Sequence, residues 1–121
     1  MPKVLIKEKE AYRSWLPLHR DFPKVERFGI GQKIEQSFLD VLELTFASVY
    51  LASKEKMLVL SRTIAKLDNL KFFMQLAWES KLIPTEKYSN ISKELEEVGR
   101  MLGGWRKGLI EKLQNKTPAT K

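Results

Sequence analysis

Few residues in this sequence have the types and spacing that catalysis or metal binding requires. His19 is the single histidine and there is no cysteine, so a Ser-His-Asp or Cys-His arrangement has one candidate base and no partner pattern around it. Glu94, Glu96 and Glu97 are clustered, but metal sites in helical bundles need carboxylates on several helices and Glu-x-x-His motifs. We interpret the cluster as a solvated face and expect no catalytic residue, no metal and no cofactor.

One short motif could bind phosphate. Gly29-Ile30-Gly31 resembles half of a phosphate-binding loop. No predicted strand precedes it, and no third glycine follows at the required spacing. We therefore interpret it as a turn that starts a helix.

The basic residues give a stronger signal. The 121 residues include 22 Lys and Arg against 15 Asp and Glu, a net charge of +7. Residues 1–33 hold eight basic and four acidic residues, residues 100–121 hold six and one, and residues 34–53 hold three acids and no base. A basic surface indicates nucleic acid, an acidic protein or a membrane surface as the partner. Charge that serves only solubility is the alternative.

The candidate contact residues lie on three predicted helices. No zinc-finger or RNA-binding signature accompanies them, so we expect binding through phosphates with weak sequence specificity. Trp15, Trp78 and Trp105 could stack on bases, but their places in or near apolar stripes favour packing. The candidates are Arg13 and Arg20 on the first helix, Arg62, Lys66 and Lys71 on the third, and Arg106, Lys107 and Lys112 on the fourth.

Apolar spacing predicts four helices and no strand. The helices cover about residues 4–20, 31–52, 53–81 and 85–114, with Ser53 and Thr85 as N-caps. Pro17 should kink the first helix or end it early. Short loops between four helices indicate an all-α, antiparallel up-down four-helix bundle over residues 1–114. Residues 115–121 are predicted to be a flexible basic tail.

The second predicted helix is apolar on more than one face. One stripe suffices for the core of a bundle, so a second stripe must bury against something else, and a subunit interface is the natural candidate. One stripe is Ile34, Phe38, Val41, Thr45 and Ser48, and the other is Leu39, Leu42, Phe46, Val49 and Tyr50, of which Leu42, Phe46 and Tyr50 are assigned to helix packing or an oligomer interface.

The stretch "EVGRMLGGWRKGL", residues 97–109, holds four glycines in a helical pattern. Because Val98, Leu102 and Trp105 stay in phase through it, we predict that the helix continues. Gly99 and Gly103 are four residues apart and form a smooth patch that another backbone could approach. Gly103→Leu is therefore expected to disrupt bundle or oligomer packing. Trp105 is assigned to the same packing surface, whereas Gly104 and Gly108 have no evident role.

Two stretches now point to a family. "EVGRMLGGW", residues 97–105, resembles the end of the fourth helix of Avd, the accessory variability protein of diversity-generating retroelements. "L-x-x-L-K-F", residues 67–72, resembles the third Avd helix. "FPKVERFGIGQKI", residues 22–34, resembles the loop and second-helix start shared with four-helix-bundle proteins encoded in bacterial 23S rRNA intervening sequences. The likeness covers nearly the whole chain in order and length.

The resemblance implies a homopentameric barrel of four-helix bundles that is strongly basic and not catalytic. It implies binding to the element's reverse transcriptase and to RNA or DNA, in support of mutagenic retrohoming. Basic residues on the third helix matter in the family; Lys71 matches one such position, whereas Gln75 stands where the family can carry another. The alternative is an intervening-sequence relative that acts as a structural or protein-interaction oligomer.

Composition also bears on location. The chain has no cysteine, which makes a reducing compartment the easiest context. No apolar run approaches the roughly 18 residues that span a bilayer. We therefore expect a cytoplasmic protein that has no membrane partner.

Overall fold

Residues 2–116 are described by the structure, a computed structural model, and they fold into four long helices and one short helix. The helices are α1 (Lys3–Arg20), α2 (Lys24–Phe28), α3 (Ile30–Ser48), α4 (Ser53–Glu79) and α5 (Thr85–Lys116). Within these described residues there is no strand. The all-α prediction is confirmed.

The four long helices pack in a closed ring of neighbours: α1 on α3, α3 on α4, α4 on α5, and α5 on α1. Contacts between neighbouring helices show their directions. In each pair of helices, residue numbers rise along one helix while those of the contacting residues fall along the other, so neighbouring helices are antiparallel. The pairs are Thr45 with Glu8 and Glu35 with Trp15 for α3 and α1, Asp40 with Lys66 and Lys33 with Phe73 for α3 and α4, and Lys71 with Glu96 and Ser61 with Arg106 for α4 and α5.

The core lies along the axis of this bundle and consists of the predicted apolar stripes. Trp15 is fully buried and packs edge-on against Phe22 and stacked against Phe38. Burial of each such large side chain contributes about 1.5–3 kcal/mol. Of the two stripes predicted for the second helix, one is buried on α3 in full: Ile34, Phe38, Val41, Thr45 and Ser48.

A polar cluster joins α1 to the start of α3. Glu35 accepts hydrogen bonds from the Tyr12 hydroxyl and from Trp15 Nε1, and its carboxylate lies 3.7 Å from Nδ1 of His19. Gly31 packs directly against that imidazole, because a Cβ there would lie 2.8 Å from the His19 ring. The turn predicted at Gly29-Ile30-Gly31 is confirmed, since α2 ends at Phe28 and α3 begins at Ile30.

Some predicted boundaries were confirmed and others were wrong. The first helix ends at Arg20 as predicted, and Pro17 lies in its last turn instead of ending it early. The second predicted helix ends at Ser48 instead of Ala52. The short helix α2 was not predicted, because five residues between Pro23 and Gly29 are too few for a periodic pattern to show.

The predicted caps and tail also differ from the structure. The N-cap of α4 is Ala52, without a side-chain cap, and Ser53 is the first helical residue. Thr85, the other predicted N-cap, is the first residue of α5, and its hydroxyl accepts a hydrogen bond from Trp78 Nε1. Helix α5 continues through residues 115 and 116, which were predicted to belong to the tail. The rest of that tail, residues 117–121, lies outside the described residues.

The glycine-containing stretch lies within α5, so the prediction that the helix continues is confirmed. The close backbone approach expected at the glycines was wrong within the protomer. A Cβ on Gly99 would meet only the Leu67 side chain, at 3.4 Å, and a Cβ on Gly103 would meet nothing within 4 Å. Gly103 therefore faces open space, and only a contact outside the protomer could make it a packing residue.

Candidate nucleic-acid interface

Two of the three basic candidates on α4 are paired with acids. Lys66 Nζ lies 3.5 Å from Asp40 on α3, and Lys71 Nζ lies 3.2 Å from Glu96 on α5. Arg62 is exposed and forms no ion pair within the described part of the chain. Of these three residues, Arg62 presents the uncompensated charge.

The three candidates on α5 lie near its C-terminal end. Arg106 donates from Nε to the Ser61 hydroxyl of α4 at 2.6 Å, which fixes its guanidinium between the two helices. Lys107 and Lys112 are exposed, and neither forms an ion pair with another described residue. Beside them, Lys56 Nζ lies 5.6 Å from the centre of the Trp105 ring, a cation–π contact.

These cations lie toward the same end of the bundle, because α4 and α5 are antiparallel and the start of α4 lies beside the end of α5. We call this group of residues the basic end. On the same stretches of the two helices, residues 54–62 and 106–112, the acidic residues are Glu55 and Glu111. Cations also interact favourably with the C-terminus of a helix dipole. The basic end comprises Lys54, Lys56 and Arg62 of α4 and Arg106, Lys107 and Lys112 of α5.

The two candidates on α1 lie elsewhere. Arg20 is in the last turn of α1, and because α1 runs antiparallel to α5, that turn lies near the start of α5. Arg13 is exposed near the middle of α1. The eight candidates therefore do not share one surface: Arg20 is at the opposite end of the bundle from Lys107 and Lys112.

The other apolar stripe predicted for the second helix is exposed in part: Leu39 and Phe46 on α3 and Tyr50 just after it are exposed, whereas Leu42 and Val49 are half-buried. Phe46 and Tyr50 are 47% and 72% exposed and contact each other edge to face, and Leu39 is 39% exposed. An open groove of about 480 Å³ runs beside them between α1 and α3. It is lined by Leu5, Lys9, Leu39, Leu42, Glu43 and Phe46.

One buried polar pair was not found from the sequence. Glu8 is 2% exposed and accepts a 2.7 Å hydrogen bond from the Thr45 hydroxyl, which is fully buried. Burial raises the pKa of Glu8 to about 8, and the Thr45 hydrogen bond partly offsets this effect. The available signal was Thr45 itself, a polar residue in an otherwise apolar stripe.

Neither a cluster of metal ligands nor a membrane-spanning helix occurs among the described residues. Residues 2–116 contain no group of three His, Cys, Asp or Glu side chains that could hold a metal ion. None of the described helices combines the length and apolar character that crossing a membrane requires.

A comparison with protein families identifies the chain's relatives. A family model described as bAvd-like matches residues 5–109. The chain belongs to the bAvd-like family. The match runs from the first turn of α1 into the last third of α5, so it includes the glycine-containing stretch and most of the basic end of this bAvd-like protein. A search of the curated proteins found no match.

Proposed function

We propose that this bAvd-like protein is a non-catalytic accessory subunit of a diversity-generating retroelement. In this role it binds the element's reverse transcriptase and RNA or DNA in the cytoplasm, and it supports mutagenic retrohoming. The observation that carries the proposal is the basic end on a chain of this family. There, six cations lie on stretches of two helices that carry only two acids, Glu55 and Glu111.

The basic end is suited to phosphate contact. Exposed Lys and Arg side chains neutralise phosphates and release condensed counterions, which makes affinity dependent on salt and nearly independent of sequence. Arg106 adds a held guanidinium, because its hydrogen bond to Ser61 restricts the side chain. We expect Lys66 and Lys71 to contribute less to phosphate binding, since Asp40 and Glu96 already compensate their charge.

The nucleic-acid part is tested with a labelled single-stranded RNA titrated at about 50 to 200 mM salt. The logarithm of affinity should fall with the logarithm of salt by about 0.7 per neutralised phosphate. Combined Lys107→Gln and Lys112→Gln should reduce that slope by about 1.4. The combined substitution Arg13→Gln and Arg20→Gln is the matched control, and it should change the slope of affinity against salt much less. Absence of salt-dependent binding at about 50 mM would contradict the proposal.

Reverse transcriptase binding is tested separately. Lys71 is the position that the family resemblance selects, and Arg62 lies on the same helix without an ion pair among the described residues. Lys71→Glu combined with Arg62→Glu should weaken capture of the polymerase while helicity measured by circular dichroism stays unchanged. Equal capture by the variant and the original protein would remove these residues from the proposed interface.

The outward apolar stripe of α3 supports self-association, and the family resemblance suggests a pentamer. The same stripe would also serve an intervening-sequence relative with only a structural or protein-interaction role. Genomic neighbourhood separates the two functions. A reverse transcriptase gene and paired near-identical repeats beside this gene are expected for the accessory subunit, and their absence would favour the intervening-sequence relative.

A further inference from the structure

A cleft of about 540 Å³ lies at the end of the bundle opposite the basic end. It opens between Asp21, directly after α1, and the turn that joins α4 to α5. Trp78, Lys81 and Thr85 line it together with Asp21. Its volume is within the range of about 300–1,000 Å³ that small-molecule sites occupy. The cleft thus combines an aromatic ring, a cation and a carboxylate.

Trp78 is held as a rigid platform in this cleft. Its indole stacks on the Tyr88 ring, with 4.7 Å between the ring centres and 7° between the planes. Its Nε1 donates a 3.1 Å hydrogen bond to the Thr85 hydroxyl. The polar atom of the indole is therefore satisfied within the protein. The second ring face stacks on no other aromatic ring among residues 2–116, and Trp78 lines the cleft.

Lys81 occupies a conformation that lysine rarely adopts. Its φ is +65°, the single positive φ of a non-glycine residue in the described chain. The amide of Leu82 donates a 2.9 Å hydrogen bond to the carbonyl of Ala77, which is the bond that closes a Schellman motif at the end of a helix. Lys81 occupies the left-handed position of this motif, where glycine is the usual residue. Backbone strain of this kind is concentrated at functional sites. Lys81 is exposed and lines the cleft together with Trp78.

A second cation lies close to the same carboxylate. Asp21 also lines an adjoining cleft of about 310 Å³, together with Lys87 in the first turn of α5. Lys81 and Lys87 form no ion pair within the described residues. Asp21 therefore has an available cation in each of the two clefts that it lines.

We propose that the Trp78 cleft binds an unpaired nucleotide. The base stacks on the Trp78 ring face opposite Tyr88, Lys81 and Lys87 contact the phosphate, and Asp21 accepts a hydrogen bond from an N–H group of the base. A single strand held by the protein and a free mononucleotide both offer this chemistry. Binding of a nucleotide within a single strand rests on the function proposed above. Binding of a free mononucleotide does not, because it depends only on the residues of the cleft.

The first measurement follows tryptophan fluorescence during titration with 5′-GMP and with UMP. It uses Trp105→Phe protein, because Trp15 is buried and Trp78 then becomes the emitter that a ligand can reach. Stacking should quench Trp78 in a saturable way. GMP should bind more tightly than UMP, because guanine presents two neighbouring N–H donors to Asp21 and uracil presents one. Asp21→Asn should reduce this preference.

The second measurement uses a labelled 12-nucleotide single-stranded RNA and three variants. Trp78→Leu removes the stacking ring and should weaken binding at least about fivefold. Lys81→Gly removes the cation but suits the backbone conformation, so it keeps the fold, and it should lower the salt slope by about 0.7. Lys93→Gln on α5, outside both the cleft and the basic end, is the matched charge control and should leave the RNA affinity and the fluorescence response to GMP unchanged.

The outcomes separate the two proposals. Fluorescence that responds to neither nucleotide, together with full RNA affinity in Trp78→Leu and Lys81→Gly, would overturn the nucleotide site and leave the basic end as the binding surface. A nucleotide response that disappears in Lys81→Gly, without salt-dependent RNA binding, would support the cleft as a free-nucleotide site and overturn the proposed accessory function. Loss of the nucleotide response in Lys81→Gly, together with weaker RNA binding in both Trp78→Leu and Lys81→Gly, would place the single strand in the cleft.

Discussion

The Thr45 hydroxyl donates a 2.7 Å hydrogen bond to Oε2 of Glu8 in the interior of the bundle. The second carboxyl oxygen, Oε1, is buried and has no hydrogen-bond partner among the described residues. Because burial raises the pKa of Glu8 to about 8, the folded protein holds this carboxyl mostly in its neutral form at pH 7. A neutral acid therefore forms part of the contact between α1 and α3.

This pair predicts that stability falls as pH rises. The unfolded chain loses the Glu8 proton near pH 4.5, its ordinary value, whereas the folded protein keeps the proton until about pH 8. The stabilising effect is fully present below about pH 4.5, declines between these two values and is lost above about pH 8. The decline should approach 1.4 kcal/mol per pH unit. Urea unfolding at a series of pH values measures it.

Glu8→Gln is the matched control for this pH dependence. Glutamine keeps the shape of the side chain and an oxygen that can accept the Thr45 hydrogen bond, but it does not ionise. The free energy of unfolding of the variant should therefore vary less with pH than that of the original protein between pH 5 and 8, by the same slope of about 1.4 kcal/mol per unit. Identical pH profiles would show that Glu8 does not titrate in this range.

The fold followed from the sequence where one signal dominated. The α3 core stripe and the continuous stripe of α5 were predicted because helix burial imposes a spacing of three and four residues, and this pattern is visible without any tertiary contact. The same spacing predicted that α5 continues past its glycines. Leu102 and Leu109 on this stripe are buried in the structure. Local cost at a glycine is about 1 kcal/mol, which burial of the stripe exceeds.

The candidate site was predicted only in part, because charge compensation depends on how helices align. Lys66 and Lys71 look like free cations in the sequence, and only the alignment of α4 with its neighbours brings Asp40 and Glu96 to them. Likewise, Arg20 was grouped with Lys107 although antiparallel packing places them at opposite ends. Lys81 gave no signal, since a positive φ at lysine has no pattern in sequence.

The glycines provide a prediction about helix stability. A Cβ added at Gly104 or Gly108 would meet nothing within 4 Å, so Gly104→Ala should raise the free energy of unfolding by about 0.5–1 kcal/mol. Gly31→Ala should lower it by about 1–3 kcal/mol, because its Cβ would lie 2.8 Å from the His19 ring and 3.0 Å from the Glu26 carbonyl. Thermal unfolding of both variants tests the contrast, and equal shifts would contradict it.

Lys81 provides a prediction that separates its backbone conformation from its charge. Lys81→Gly relieves the positive φ and should stabilise the fold by about 1 kcal/mol. Lys81→Ala removes the same charge and keeps the strain, so it should give no such gain. Urea unfolding of the two variants at one salt concentration distinguishes the two effects. If alanine stabilises as much as glycine, the gain comes from removing the charge.

Self-association through the α3 surface gives the last prediction. Phe46 is 47% exposed beside the 480 Å³ groove, and Val25 is 79% exposed on α2. Phe46→Glu should lower the mass measured by light scattering while helicity is retained, because a charge cannot be buried there without a partner. Val25→Glu adds the same charge at a more exposed position and should leave the mass unchanged.

Gly103→Leu extends the test to α5. A lower mass would place Gly103 in the interface, since nothing within the protomer lies within 4 Å of a Cβ at that position.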